Sequence, residues 1–345
     1  MQLNDKIISF TELGDFLLDK NNTDEILNWA ARARNQNGWF TEDNVISALE
    51  GIANNFLQKE QLQALVETGQ FNIETGQCPV STIKKIGVVM AGNIPVVGFH
   101  DMLCVVMAGH CALLKLSSSD TALMTAMINK LYEINPEMKD YIQIADKLNG
   151  ADAFIATGSD NSSKFFEYYF SKKPNIIRRN RTSVAVLTGE ENKIDLANLG
   201  NDIFQYFGLG CRNVSKMYVP DGYDFTNFFE SIEYWNTILI HHKYNNNYDY
   251  NKSIYLVNQV PHFDNGFLLL KEDESLTSPI SVIFYEKYHS KKHLEALLKA
   301  NEDKIQCIVA KEGLLPNAFP FGQAQAPKIT DFADGINTME FLTKV

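Results

Sequence analysis

The chain has 345 residues, of which 45% are hydrophobic and 21% are charged, and its formal net charge is −11. This apolar content predicts a large core in two domains or in one large α/β domain, and the negative charge disfavours nucleic acid and anionic membranes as partners. Since there is no long apolar run and no signal-peptide pattern at the N-terminus, we expect no membrane insertion and a cytoplasmic location.

The first ~80 residues have the pattern of amphipathic helices, with Thr23 and Thr41 at expected N-cap positions. From residue 86 onward, short apolar runs alternate with amphipathic stretches. This alternation predicts the α/β class with a parallel, doubly wound sheet. The predicted strands are 86–93, 111–117, 152–158 and 182–189, and the predicted helices are 95–108, 121–134 and about 161–170.

The pattern restarts after residue 190 with a predicted helix over 195–207 and a strand over 215–220. Later strands are expected at 281–288 and 305–310. The polar, Asn- and Tyr-rich residues 241–252 are interpreted as an exposed connection between helices. We therefore divide the chain into residues 1–187, residues 188–325 and a terminal segment, 326–345.

Motifs of several common enzyme classes are absent from the sequence. It contains no GxGxxG, GxSxG, HExxH or P-loop, and the adjacent pair His241–His242 cannot direct both rings to one face, so no metal site is expected. The basic run at 172–181 fits either a solvated surface or a phosphate-steering role.

Five scattered cysteines in a cytosolic chain indicate thiols rather than disulfides. Cys211 differs from the others because Gly208 and Gly210 precede it and Arg212 follows it, which favours an accessible thiolate. The remaining four fit buried apolar positions or a Gly/Pro turn, at positions 78, 104, 111 and 307.

Two further loops follow predicted strands. Asn93 lies in Gly-Asn-Ile-Pro, where its side-chain amide could donate to an oxyanion or simply cap the next helix. Gly158 and Ser159 form a turn that could present N–H groups to a pyrophosphate, and plain helix capping by Ser159 or Asp160 is the alternative.

These loops together resemble the aldehyde dehydrogenase superfamily and, more closely, the fatty acyl-CoA reductase family that supplies aldehyde to bacterial luciferase. The resemblance runs from about residue 70 to the C-terminus. It rests on the segments MAGNIPVVGFHDMLCVVMAGH, LLKLSSSD, FIATGSD, IIRRNRTSVAVLTG, YFGLGCRNVSKMYVP and FPFGQAQAPKITDFADGINTMEFL.

The resemblance implies an aldehyde-dehydrogenase-like fold with a Rossmann-type nicotinamide cofactor domain over 1–187, a catalytic domain over 188–325 and a return segment for oligomerisation over 326–345. It implies that Cys211 is the nucleophile and that Asn93 belongs to the oxyanion hole. The cofactor would be bound by residues of two loops, Lys115, Ser117, Ser118, Gly158 and Ser159.

Two departures from the superfamily pattern bear on the reaction and on the cofactor: the first suits a reductase, and the second favours NADPH. The stretch 174–189, which corresponds to the segment with the superfamily's water-activating Glu, contains no Asp or Glu. Ser118 replaces the ribose-binding Glu, and a hydroxyl there would not repel a 2′-phosphate, so NADPH is expected over NADH.

The resemblance thus implies an acyl-CoA reductase that transfers a long-chain acyl group from acyl-CoA, or from an acyl-protein thioester, to Cys211 and releases CoA and then aldehyde. A homo-oligomer and an acyl-protein synthetase partner are expected by the same analogy. Two alternatives stay open: a short-chain CoA- or phosphate-linked semialdehyde dehydrogenase, and a non-catalytic acyl-carrying subunit.

Overall fold

A computed structural model of the protein describes residues 1–69 and 82–345, so Cys78 and the start of the family-like region lie outside the described residues. The described chain forms two compact units, one of residues 1–180 with 327–345 and the other of residues 181–326. The division lies at residues 180–181, where the sequence analysis had placed it at 187–188.

The first unit begins with helices that pack on each other. Helices α1 and α2 each contact both α3 and α6. Thr41 caps α3 as predicted, because its side chain accepts a hydrogen bond from the Asn44 N–H. Thr23 is instead the first residue of α2, and Asn22 occupies the cap position. The helices of this unit are α1 (Leu3–Leu18), α2 (Thr23–Gln36), α3 (Glu42–Asn55), α4 (Lys59–Glu67), α5 (Phe99–Ala108), α6 (Thr121–Ile134), α7 (Asp160–Phe170) and, from the C-terminal segment, α12 (Thr338–Thr343).

The sheet of the first unit has five parallel strands in the order β3-β2-β1-β4-β5. The chain leaves the central strand β1 for β2 on one side and later returns to β4 on the other. Ligands of such sheets bind outside the carboxyl ends of the strands at this reversal. The strands are β1 (Lys85–Val89), β2 (Cys111–Lys115), β3 (Ile142–Ile144), β4 (Ala153–Thr157) and β5 (Asn175–Arg178).

The second unit contains a six-stranded sheet in the order β11-β6-β7-β10-β9-β8, in which β8 and β9 pair antiparallel and the other pairs are parallel. Its elements are α8 (Lys193–Phe204), α9 (Thr226–Ser231), α10 (His242–Val257), α11 (Lys291–Ala300), β6 (Thr182–Val186), β7 (Val214–Pro220), β8 (Phe263–Asp264), β9 (Leu269–Glu272), β10 (Val282–Tyr288) and β11 (Ile305–Ala310).

Strand β6 belongs to this second sheet, between β11 and β7, although the sequence analysis had grouped it with the first half. Its residues are uniformly buried. An apolar run of this kind identifies a central strand but carries no information on which sheet it enters.

The polar residues 242–252 lie within helix α10, with His241 at its N-cap, and are not the connection that was predicted. A stripe at helical spacing is buried in this helix and contains Tyr244, Tyr248, Asn251 and Tyr255. The tyrosine rings supply the apolar face, while the Tyr244 hydroxyl donates to the Phe267 carbonyl and the Tyr248 hydroxyl to Asp264.

The terminal segment, for which the resemblance implied a role in oligomerisation, contains helix α12. Three side chains of the first unit hydrogen-bond it: Arg178 to Thr338 Oγ1 at 2.9 Å, His110 Nε2 to the Leu342 carbonyl at 2.9 Å, and His100 Nε2 to the Ile329 carbonyl at 2.7 Å. The segment is therefore part of the first unit's own packing.

Candidate functional site

Asn93 is exposed in the loop that follows β1. The helix after this loop begins at Phe99 with Gly98 at its N-cap, so the predicted start at residue 95 was wrong. The physical reason is Val96, whose φ of 51° is left-handed and cannot belong to an α-helix. Asn93 therefore does not cap α5, which removes the capping alternative for this helix.

The strained turn at Val96 is held by Asp120. The Val96 N–H donates to Asp120 Oδ2 at 2.8 Å, and Asp120 is 2% exposed. Burial raises the pKa of this carboxyl to about 8, against the opposing effect of the Val96 N–H. A single buried acid thus supports the loop that contains Asn93.

Lys115, Ser117 and Ser118 stand at the carboxyl end of β2, next to the Asn93 loop. Lys115 and Ser118 are exposed, and Ser117 is half-buried. A Cβ placed on Gly92 would lie 2.4 Å from Ser117 Oγ, so glycine is needed for the two loops to approach this closely.

Gly158 and Ser159 follow β4 at the same edge of the sheet. The Ser159 side chain accepts a hydrogen bond from the Ser162 N–H at 3.3 Å and is the N-cap of α7. A Cβ on Gly158 would lie 2.8 Å from the Phe166 ring. The loops after β1, β2 and β4 therefore all lie at the carboxyl edge of one parallel sheet.

Cys211 lies in the second unit, half-buried, in the turn between α8 and β7. The chain reaches this turn through three successive left-handed residues: Tyr206 with φ 54°, Phe207 with φ 59° and Gly208 with φ 75°. Non-glycine residues in this region cost of order 1–3 kcal/mol each and persist where the surroundings enforce them, often at functional sites.

Asn213 fixes the Cys211 turn to the end of helix α8. Its Oδ1 accepts from the Gly210 N–H at 2.8 Å, and its Nδ2 donates to the carbonyls of Asp202, Ile203 and Gln205 at 3.1, 3.3 and 2.8 Å. The side chain is 2% exposed. The sequence pattern alone does not single out Asn213, although an Asn that closes a Gly-containing turn is a recognisable signal.

Ser183 of β6 supports the same turn from the sheet. Its hydroxyl donates to the Cys211 carbonyl at 3.0 Å and accepts from the Cys307 N–H at 3.2 Å. Ser183 is fully buried. The backbone of Cys211 is therefore held both by the α8 end, through Asn213, and by the sheet.

Arg212 contacts the segment near residue 324. Its Nε donates to the Ala324 carbonyl at 2.6 Å, and its guanidinium carbon lies 4.8 Å from the centre of the Phe319 ring. Asp202 accepts from the N–H groups of Gly322 and Ala324 at 2.6 and 2.9 Å. The arginine thus has a positioning contact, and its expected electrostatic effect on the thiolate stays a prediction.

The other described cysteines are buried, as the sequence analysis predicted. Burial raises the pKa of the Cys104 thiol well above its ordinary value and also raises that of Cys111. Cys307 is 6% exposed within β11. Cys211 is thus the most exposed cysteine in the described ranges.

The basic run at 172–181 is neither a wholly solvated surface nor a free cluster of positive charge. Arg178 is 3% exposed at the end of β5 and forms an ion pair with Asp101 at 2.6 Å. Arg179 pairs with Glu167. The phosphate-steering role therefore finds no support from these two arginines.

Within residues 1–69 and 82–345, no three His, Cys, Asp or Glu side chains are grouped as metal ligands. In the same ranges, no helix is both long enough and apolar enough to cross a membrane.

Solved structures of aldehyde dehydrogenases have this fold. Similar chains include the aldehyde dehydrogenase of Mycobacterium tuberculosis complexed with NAD+ (13% identity, TM-score 0.64, covering 94% of this chain and 76% of that one). An NADP-dependent enzyme of E. coli is 10% identical with a TM-score of 0.67, and the match covers 94% of this chain and 76% of that one. An NAD-dependent aldehyde dehydrogenase of Sinorhizobium meliloti is 10% identical with a TM-score of 0.67, and the match covers 92% of this chain and 72% of that one. The predicted fold class, α/β and aldehyde-dehydrogenase-like with a helical N-terminus, is confirmed.

Residues 81–232 match the family model described as acyl-CoA reductase (LuxC), a region that contains every candidate site residue. The resemblance stated from the sequence is confirmed by this match. The match supports an aldehyde-forming oxidoreductase. No curated protein matches the sequence.

Proposed function

We propose that the protein reduces a long-chain fatty acyl thioester to the aldehyde with NADPH, through an acyl-thioester on Cys211. The observation that carries this proposal is the Cys211 turn. A half-buried thiol follows three left-handed residues in a turn whose backbone is hydrogen-bonded by Asn213 and Ser183, while the other described cysteines are buried.

The chain's own residues act on the acyl group as follows. The Cys211 thiolate attacks the acyl carbonyl, a new carbon–sulfur bond forms, and the bond to the CoA sulfur breaks so that CoA leaves. The Asn93 amide and the Cys211 N–H donate to the oxyanion during this step. After reduction, the thiohemiacetal collapses, which releases the aldehyde and returns the thiolate to Cys211.

The composition of the stretch that corresponds to the superfamily's water-activating Glu segment supports reduction over hydrolysis. Residues 174–189 contain no carboxylate, and the buried Ser183 in this stretch is occupied with the backbone of Cys211 and Cys307. Without a general base to activate water, the acyl-enzyme persists until it is reduced or until another thiol accepts the acyl group.

The loops of the first unit fit a dinucleotide. Gly92 and Gly158 are both sites where a Cβ would collide with a neighbour, so the backbone there is closely packed at the sheet edge that binds ligands in this class of fold. Lys115, Ser117 and Ser118 would hold the adenine ribose, and the turn at Gly158 and Ser159 would lie beneath the pyrophosphate. When bound, the nicotinamide supplies the hydride.

The preference for NADPH is tested at Ser118, which is exposed and presents no charge to a 2′-phosphate. We expect Ser118→Glu to shift the ratio of kcat/KM values toward NADH, because a carboxylate repels the phosphate. Ser118→Ala is the matched control and should keep the wild-type preference. An unchanged ratio in Ser118→Glu would refute the role of Ser118.

A scan of acyl-CoA substrates from short to long chains, with NADPH and with NADH, tests the function as a whole. We expect aldehyde formation that increases with chain length. Activity confined to short polar substrates would instead indicate a semialdehyde dehydrogenase. Acylation of the protein without any oxidation of NADPH or NADH would indicate an acyl-carrying subunit.

A further inference from the structure

Asp120 is a buried acid that the proposed mechanism does not use. It precedes helix α6 but makes no side-chain cap with that helix. Its Oδ2 accepts the Val96 N–H at 2.8 Å, and its Oδ1 is buried without a hydrogen-bond partner. A buried carboxyl oxygen left in this way costs about 1–3 kcal/mol, so a purely structural helix terminus would not favour it.

Val96 needs an external restraint to keep its conformation. It is β-branched and 2% exposed, and its φ of 51° lies in a region that such residues rarely adopt. The hydrogen bond from its N–H to Asp120 supplies that restraint. Because Asn93 is three residues earlier in the same loop, the turn at Val96 restrains the path of the backbone that carries Asn93.

The backbone of Asp120 belongs to the other loop. Its N–H donates to the Ser117 carbonyl at 3.0 Å, which closes the turn that contains Ser118. A Cβ on Gly92 would approach both Ser117 and the Asp120 Cβ, at 3.3 Å for the latter. Asp120 therefore joins the Ser117–Ser118 turn to the Asn93 loop through one side chain.

We propose that Asp120 is a positioning residue that holds the Asn93 loop and the Ser117–Ser118 turn as one body, so that the oxyanion donor and the cofactor-binding turn depend on the same buried hydrogen bond. This inference rests on the proposed function for the roles of Asn93 and Ser118. The requirement is a hydrogen-bond acceptor for the Val96 N–H and does not include a negative charge.

Two substitutions separate the acceptor from the side-chain volume. Asp120→Asn keeps an oxygen that can accept the Val96 N–H, whereas Asp120→Leu has a similar size and no acceptor. Asp146→Leu, which removes an exposed carboxylate in the same unit, is the control for the loss of one acid. Each variant is measured for Val96 amide exchange, for single-turnover acylation of Cys211 without cofactor, and for NADPH binding without acyl-CoA.

We expect Asp120→Leu to accelerate Val96 amide exchange and to weaken NADPH binding. It should also slow acylation about tenfold or more, since small misplacements of a reacting group can lower a rate by up to ~100-fold. Asp120→Asn and Asp146→Leu should resemble the wild type in all three. The proposal would be overturned if Asp120→Leu kept the wild-type rate of Val96 amide exchange or of acylation. It would also be overturned if Asp120→Asn changed these rates as much as Asp120→Leu does.

The amide exchange measurement separates this inference from the proposed function. If the wild type neither acylates nor binds NADPH, the proposed function fails, while faster Val96 exchange in Asp120→Leu alone still supports the link between the two loops.

Discussion

Buried polar side chains hold both candidate loops in place. Asp120 accepts from Val96 beside Asn93, while Asn213 and Ser183 hydrogen-bond the turn around Cys211. Each of these three residues is at most 2% exposed. Bonds made in this environment resist competition from water, so the backbone of the candidate reactive groups is restrained.

Asn93 should contribute to acylation through its side-chain amide. We expect Asn93→Ala to slow acylation of Cys211 by ~10²-fold or more, the usual effect of removing one oxyanion donor. The measurement is a single-turnover rate with acyl-CoA on protein verified as folded by its thermal unfolding. A rate near that of the wild type would exclude the oxyanion role.

Asp120 should make the protein less stable as the pH rises. Its pKa is raised by burial from 3.8 to about 8 in the folded state. The folded state therefore binds the proton more tightly, and the stability contributed by the neutral acid is fully present below about pH 4 and is lost as the pH rises to about 8.

The neutral variant Asp120→Asn does not titrate and isolates this effect. The unfolding free energy of the wild type, measured relative to that of Asp120→Asn, should fall by a few kcal/mol between pH 5 and pH 8. Each unit of pKa shift corresponds to about 1.4 kcal/mol. Urea unfolding across this range measures it. A difference that is constant with pH would show that Asp120 does not titrate in this way.

The sequence pattern indicated candidate reactive groups but not the side chains that hydrogen-bond the loops around them. Cys211 was distinguished by its neighbouring glycines, which are visible locally. Asp120 and Ser183 act through residues that are 24 and 28 positions away in sequence. Contacts of that separation depend on the fold, so no local pattern indicates them.

At the scale of elements, the connection between α8 and β7 depends on Asn213. We expect Asn213→Ala to lower the unfolding free energy by about 1–3 kcal/mol, because the buried groups that it satisfies lose their partner. Acylation of Cys211 should also slow. Urea unfolding and single-turnover acylation measure the two effects.

Asn201→Ala is the matched control for Asn213→Ala, since Asn201 is exposed on the neighbouring helix α8. Its unfolding free energy should stay within about 0.5 kcal/mol of the wild type. Equal stability losses in the two variants would contradict a special role for Asn213.

Elements with a clear apolar pattern were predicted well from the sequence. Strand β11 has the predicted bounds, and helix α6 covers the predicted 121–134. Helix α10 was missed because tyrosine rings, rather than aliphatic side chains, form its buried stripe. Strand β5 was missed because it lies within a basic run whose Arg178 is buried by an ion pair with Asp101.

At the scale of the whole molecule, the sequence predicted two α/β halves but not the division between them. Strand β6 joins the second sheet, and the terminal segment joins the first unit through side chains such as Arg178 and His110. Both assignments depend on pairing between elements distant in sequence. Periodicity reports the type of an element and not its neighbours.

Transfer of an acyl group to one thiol is the step on which the proposed activity depends. Intact-protein mass spectrometry after incubation with a long-chain acyl-CoA, without cofactor, measures it directly. The wild type should gain the mass of one acyl group, which hydroxylamine removes, and Cys211→Ala should gain none. Cys307→Ala is the control for a buried thiol and should still be acylated. Full acylation of Cys211→Ala would contradict the assignment of Cys211 as the nucleophile.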